Sequence, residues 1–430
     1  MRRCWSSLFA CGVLAAAPAA VATGQSLAGT WRGHWARGGD TLPVTMHIAD
    51  SAPTFRGSFD SDRLRVLGIP LTDIERGEEG AVTFRVVGDA TTMDFTGTLR
   101  GDSLAGTFSE ANTTGDFAFV RAARPEPAVR EAELKVPNGA VTLAGTLILP
   151  AGRGPAPVVV FLHGARAEGR WANRFLATRL AQRGVGAFIW DKRGVGSSTG
   201  DWRQASFDDL AGDAAAVVRA LAADSRVDAR RIGLHGHSQG GTLVPMVAAR
   251  ARVAFVVASA GGGGPTDSIE VFSVLNVVLP SAQTAADSAD ARVFVAEVVS
   301  VAFHGRPRAQ LDSLAMAWRE RTWMFELPPP DDFYWRFSRD VAAYDALSWW
   351  ARVRVPVLLV YGEADARVPA RESAGRIAAT LSAAGNSDVT VRIFPGADHT
   401  FRLPPGPGGW PSTAPDYLDT LIGWIVARAR

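Results

Sequence analysis

The stretch Arg231–Gly241, Arg-Ile-Gly-Leu-His-Gly-His-Ser-Gln-Gly-Gly, constrains this chain more than any other. A short apolar run (Ile232, Leu234) leads into Gly236-His237-Ser238-Gln239-Gly240, a Gly-x-Ser-x-Gly pattern. Leu243, Val244, Met246 and Val247 then read as the buried face of a helix. The order is strand, sharp turn, helix, with a serine at the tip. Such a turn holds its serine in strained dihedrals, and the flanking glycines leave room for strand and helix to approach. The hydroxyl then stands clear of the sheet, and the N–H of Gln239 at the helix start points into the same space. A bare Gly-x-Ser-x-Gly also occurs in ordinary glycine-rich turns; the strand–helix context argues for a nucleophile.

A serine hydroxyl attacks poorly without a base. Of the seven histidines, at 34, 47, 163, 235, 237, 304 and 399, His399 follows the last apolar strand in Pro395-Gly396-Ala397-Asp398-His399. There a loop leaves the carboxyl end of a strand, the rim on which open α/β sheets build their sites. His235 within the elbow strand and His237 beside the serine suit packing or oxyanion-side roles. The base needs an acid to fix its tautomer, and Tyr361-Gly362-Glu363-Ala364-Asp365 carries two carboxylates past the preceding strand. Asp365 is favoured, with Glu363 nearer the strand as the alternative; Asp398 adjoins the histidine and cannot easily face its ring. The oxyanion needs two backbone donors. Gln239 N–H is one, and Ala165 N–H, in the His163-Gly164-Ala165-Arg166 loop, is the candidate for the other. Asp191-Lys192-Arg193-Gly194-Val195-Gly196-Ser197-Ser198 lacks the phosphate-loop spacing and reads as structural.

The rest of the chain has to house this site. Its 430 residues suit two domains, and 47% hydrophobic residues permit a large core. Lys+Arg 45 against Asp+Glu 43 leaves a net charge of +2, which argues against nucleic acid as a partner. Residues 1–22 read as an export signal: Arg2-Arg3, an apolar stretch from Trp5, and Ala20-Val21-Ala22 as a small-residue cleavage site. The expected location is therefore periplasmic or secreted, with no stable membrane span in the mature protein. Both cysteines, Cys4 and Cys11, fall inside that signal. The mature chain then has no disulfide, thiolate nucleophile or cysteine-held metal. No cofactor or metal is expected.

From about Leu27 to Arg124 the pattern alternates at period two, as in Val82-Thr83-Phe84-Arg85-Val86-Val87, between Gly/Asp turns. An antiparallel meander or half-barrel of roughly seven or eight strands is predicted. Residues 125–130, within a Pro-containing charged stretch, read as the linker. A hairpin through Asn138-Gly139 in a type I′ turn opens residues 131–430. Strands and helices then alternate. Val158–Leu162 is a continuous apolar run of the kind buried on both faces of a parallel sheet. Between about 262 and 345 the alternation yields to helices rich in aromatics, a cap inserted over the strand ends. Its aromatics suggest an apolar acyl or aryl group, although such positions more often build core.

Taken together, the chain order Ser238, Asp365, His399, the elbow, the His-Gly loop, Asp-Lys-Arg-Gly-Val-Gly-Ser-Ser and Gly-x-x-Asp-x-x-Val-Pro resemble the α/β-hydrolase superfamily. Exported serine esterases and hydrolases related to prolyl oligopeptidase look nearest, over roughly Glu131 to Arg430. The resemblance implies an acyl-enzyme mechanism without cofactor, on a mostly parallel sheet flanked by helices; it does not fix the substrate. The expectation is an exported serine hydrolase cleaving small-molecule acyl esters, most simply a carboxylesterase. An aminopeptidase or dipeptidyl-peptidase-like enzyme is the first rival. It needs an acidic anchor for a free amine, and Glu320, Glu326, Asp331 and Asp332 of the cap are candidates. A binding protein on an inactive hydrolase scaffold is the second, opposed by the complete set of three side chains.

Overall fold

The computed structural model describes residues 26–51, 54–88, 92–123, 129–152 and 154–430. The expected export signal, both cysteines and residues 125–128 of the expected linker lie outside them. Alternation in the first segment becomes eight strands: β1 (Gly29–Arg37), β2 (Asp40–Ser51), β3 (Thr54–Ser61), β4 (Val66–Arg76), β5 (Ala81–Val87), β6 (Thr92–Arg100), β7 (Ser103–Glu110) and β8 (Thr113–Ala122). Each pairs antiparallel with the next, and β8 returns to β1 with Phe119 opposite Gly33. The domain is thus a closed barrel rather than a half-barrel, and closure removes the exposed edges that a meander would leave. Period two decides what lies inside: Val82, Phe84 and Val86 of β5 are buried, while Thr83, Arg85 and Val87 face out. The interior is filled with rings. Trp35 lies 4.9 Å from Phe59 and 5.0 Å from Phe95, and Phe84 stacks on Phe95 at 4.4 Å.

The second domain is built on an eight-stranded sheet. Its strands are β9 (Val129–Asn138), β10 (Val141–Pro150), β11 (Ala156–Leu162), β12 (Gly186–Trp190), β13 (Val227–His237), β14 (Phe255–Ser259), β15 (Val357–Gly362) and β16 (Val389–Phe394), in the order β16-β15-β14-β13-β11-β12-β10-β9. β9 and β10 pair antiparallel, as do β10 and β12; the remaining neighbours are parallel. Two boundaries differ from expectation. Val129 and Arg130 already belong to β9, opposite Pro150 and Leu149, so the linker is shorter. The hairpin turn is Gly139-Ala140 with Asn138 paired to Val141, and of these two only Gly139 has positive φ, +60°. A type I′ turn needs positive φ at both central residues, and alanine pays for that where glycine does not.

Every residue of β11 is buried because helices cover both faces. On one side lie α1 (Arg174–Gln182) and α10 (Tyr417–Ala429); on the other α2 (Phe207–Ala222), α3 (Gln239–Ala248), α8 (Ala346–Trp350) and α9 (Ala370–Ala383). Burying each large apolar side chain stabilises the fold by about 1.5–3 kcal/mol. Between β14 and β15 the chain leaves the sheet for the cap helices α4 (Thr266–Val278), α5 (Ala285–His304), α6 (Ala309–Trp318) and α7 (Phe333–Ala342). Phe294 sits among Trp318, Trp323 and Phe325, so those aromatics hold the cap together.

One clamp between the two domains comes from a loop late in the chain. A two-stranded ladder, β17 (Arg402–Leu403) and β18 (Ser412–Thr413), carries the loop Pro404–Pro411, and Trp410 from that loop enters the barrel core. Its ring lies 6.2 Å from Trp35 and 6.1 Å from Phe108, with the Arg37 guanidinium 3.9 Å above it. Arg37 Nε donates to Gly408 O at 2.6 Å. Arg63, paired with Asp40, also donates to Ser412 Oγ at 3.1 Å. A loop of prolines and glycines thus plugs a barrel distant in sequence.

Candidate active site

β13 ends at His237 and α3 starts at Gln239, so Ser238 alone makes the corner. Its backbone lies at φ 56°, ψ −118°, a strained region for a residue with a side chain. Two glycines make the corner possible. A Cβ on Gly236 would lie 2.2 Å from Gly240 O, and one on Gly240 would lie 2.5 Å from Leu162 O. Ser238 N–H donates to Ser259 O at 2.8 Å, tying the corner to β14. As the first residue of α3, Gln239 has an N–H with no carbonyl behind it in the helix.

Asp365 and His399 arrive from the loops after β15 and β16. His399 Nδ1 donates to Asp365 Oδ2 at 2.7 Å. Asp365 is 5% exposed, and its other oxygen accepts from the Arg367 and Val368 N–H groups at 2.7 and 2.9 Å. That carboxylate is held rigidly, with one oxygen left for the imidazole. Glu363 is turned away, bonded to Arg371 at 2.6 Å. Asp398 closes its own turn, accepting from the N–H groups of Thr400 and Arg402 at 2.8 Å each. Among the described residues no hydrogen bond joins Ser238 Oγ to His399. The link runs through the serine's neighbour: His237 Nε2 donates to the His399 carbonyl at 2.9 Å, with ring centroids 4.9 Å apart. Burial pushes His237 down to about 4, so it is neutral at pH 7 and holds this donor role. His235 is buried too, pushed down to about 3, and bonds Ser259 Oγ at 2.9 Å. Both histidines therefore take packing roles rather than oxyanion-side ones.

Ala165 lies in the loop after β11, exposed as an approach for substrate requires. The loop's shape is set from below. Gly164 N–H donates to Glu168 Oε2 at 2.7 Å, and Lys192 Nζ donates to Gly164 O at 2.7 Å and Arg166 O at 3.2 Å. The carbonyl of Gly164 and the N–H of Ala165 belong to one trans peptide and point in opposite directions. Binding the first aims the second away from the lysine. The same ammonium reaches Gln239 Oε1 at 3.3 Å, so one buried cation touches both segments that carry candidate donors. Sequence reasoning set Lys192 aside with its motif. Its burial at 2% exposure was the missing signal, since lysine is almost never buried without a task for its charge.

Of the cap carboxylates proposed as amine anchors, Asp332 caps α7 by accepting from Tyr334 N–H at 2.8 Å, and Glu320 pairs with Arg319 at 3.3 Å on the surface. Glu270 of α4, absent from that set, is the cap carboxylate beside the acid loop. It accepts from Tyr334 Oη at 3.1 Å and feels the charge of Arg367, two residues beyond Asp365; burial pushes its carboxyl up. Among the described residues no group of His, Cys, Asp and Glu is arranged to hold a metal.

A strand-to-helix serine, a buried carboxylate bonded to a histidine, and a sheet of this order define an α/β-fold hydrolase. Residues 153–300 match the family model described as serine aminopeptidase, S33, and residues 284–424 that of the prolyl oligopeptidase family. No curated protein matches the chain. Solved structures that resemble it include an esterase of Pyrococcus furiosus, at 17% identity over 71% of this chain and 95% of that one, TM-score 0.46. Est1E of Butyrivibrio proteoclasticus with ferulic acid bound is 16% identical over 68% and 96%, TM-score 0.44. A proline iminopeptidase of Mycobacterium smegmatis is 17% identical over 69% and 99%, TM-score 0.44. The chain is a serine hydrolase of the α/β-hydrolase type with an N-terminal β-barrel.

Proposed function

We propose that this protein is an exported carboxylesterase that cleaves small acyl esters through an acyl-enzyme intermediate. Ser238 Oγ attacks the acyl carbonyl while His399 Nε2 takes its proton. Asp365 keeps the proton on Nδ1 and stabilises the imidazolium that forms. The Gln239 and Ala165 N–H groups hold the oxyanion of the tetrahedral intermediate. The leaving alcohol departs with the proton from His399. Water, deprotonated by the same nitrogen, then releases the acid and restores Ser238. The observation that carries this reading is the 2.7 Å bond between His399 Nδ1 and Asp365 Oδ2, made beside the strained serine corner. Export is supported by the composition of residues 1–22. No helix among the described residues is long and apolar enough to cross a membrane.

Glu270 favours a second reading, an aminopeptidase whose substrate amine meets that carboxylate beneath the cap. Turnover of p-nitrophenyl esters of increasing chain length, measured beside aminoacyl p-nitroanilides, separates the two. Ester cleavage with kcat/KM at least a hundredfold above any anilide supports the esterase. The reverse order, abolished by Glu270→Gln, establishes the peptidase instead.

A further inference from the structure

A cavity of about 270 Å³ has no Ser238 in its lining. It lies behind His237, where the barrel meets the hydrolase domain. The turn between β3 and β4 roofs it with Leu64, Arg65 and Val66; His235 and His237 line it from β13; the starts of α1 and α10 form its walls.

Its lining carries two guanidinium groups, those of Arg65 and Arg402, against one carboxylate, that of Glu168. Arg65 and Arg402 both line it, and among the described residues neither has a carboxylate within 4.0 Å, in a chain where arginine–carboxylate pairs are common. The Arg65 guanidinium donates to Thr400 O at 2.7 Å, and that of Arg402 to Leu64 O at 3.5 Å. Burial weakens the hold of the Arg65 guanidinium on its proton, with Tyr417 acting against it, Arg402 adding to it and Asp398 opposing it. The nearby carboxylates are already engaged, Glu168 by Gly164 N–H and Asp398 by its own turn. The N-terminal ends of α1 and α10 also face it, neither capped by a side-chain hydrogen bond, with Asp416 and Asp419 at the start of α10. A separate feature marks the floor. His235 is 4% exposed, and its Nδ1 has no hydrogen-bond partner. A buried polar atom left unpaired costs stability and calls for a partner. Leu162, Phe175, Leu176, Phe401 and Tyr417 supply apolar and aromatic wall, beside the polar Glu168, Asn173 and Thr400.

We propose that this cavity is a second binding site, formed jointly by both domains, for a small carboxylate with an apolar body. The carboxylate lies between Arg65 and Arg402, and the apolar part contacts Phe175, Phe401 and Tyr417. Esterases release acids of this kind, but the site does not depend on the ester-cleaving reading, and its test reads binding rather than turnover.

The test is calorimetric titration of the full chain with hexanoate and benzoate, beside acetate, hexanamide and benzamide. Hexanoate or benzoate should bind at least tenfold more tightly than its own amide and than acetate. Arg65→Gln and Arg402→Gln, each confirmed folded by circular dichroism, should each weaken the acid at least tenfold and leave the amide unchanged. Should one variant fail to fold, the other decides. Equal affinity for acid and amide, no binding by the wild type, or undiminished binding in the folded variants overturns the proposal.

Discussion

Lys192→Met removes the ammonium that holds both oxyanion segments while keeping a side chain of similar length. Nζ donates to Gly164 O at 2.7 Å, Arg166 O at 3.2 Å and Gln239 Oε1 at 3.3 Å. Bonds to a charged donor are worth about 1.5–3 kcal/mol each. Loss of one oxyanion donor in a hydrolase costs about 10²–10³ in kcat. Because the variant loosens a donor rather than deleting it, kcat on a p-nitrophenyl ester should fall about 10²-fold, with KM changed only a few-fold. Stability should respond differently. Burial pushes Lys192 down from 10.5 to about 8, with Glu168 acting weakly in the opposite sense. The folded value lies below the unfolded one, so between about pH 8 and 10.5 the unfolded chain holds more protons and this group's contribution rises with pH. Below pH 8 the buried charge costs about 3 kcal/mol, at about 1.36 kcal/mol per pKa unit. Its removal offsets part of the three lost hydrogen bonds, about 4.5–9 kcal/mol together, so Tm at pH 7 should fall by several degrees without collapse. A folded variant with unchanged kcat, or a rate loss matched by a collapse in Tm, would refute this reasoning.

Asp365→Asn should lower kcat by about 10⁴, since an amide fixes the wrong imidazole tautomer, whereas Glu363→Gln should change it only a few-fold; steady-state kinetics reads both, and reversed effects would transfer the orienting role. Trp410→Ala empties a buried ring site in the barrel and should destabilise the protein by about 3–5 kcal/mol. Urea unfolding followed separately by barrel tryptophan fluorescence and by activity checks this, and an unchanged midpoint would mean that the plug contributes nothing to docking.

The readable parts of this chain were those set by local pattern. Period two placed β5, a continuous apolar run placed β11, and a strand running into a helix through glycines placed the corner at Ser238. What stayed hidden depends on partners far along the chain. Barrel closure rests on β1 meeting β8, a pairing that neither strand's alternation encodes. Trp410 lies among prolines and glycines and reads as loop, and only the open end of a barrel more than 270 residues earlier makes it core. Lys192 and Glu270 acquire their chemistry from burial, which a charged residue in sequence does not announce. Asn138-Gly139 had the composition of one turn, yet the β9–β10 register moved the corner one residue on.

Whether Ser238 is the nucleophile is decided by intact-protein mass spectrometry after treatment with a fluorophosphonate. One adduct per chain is expected, mapped to the peptide containing Ser238, and no adduct on Ser238→Ala, whose kcat on p-nitrophenyl esters should fall by about four to six powers of ten. A wild type that does not label, or a Ser238→Ala protein that labels at the wild-type rate, would contradict it.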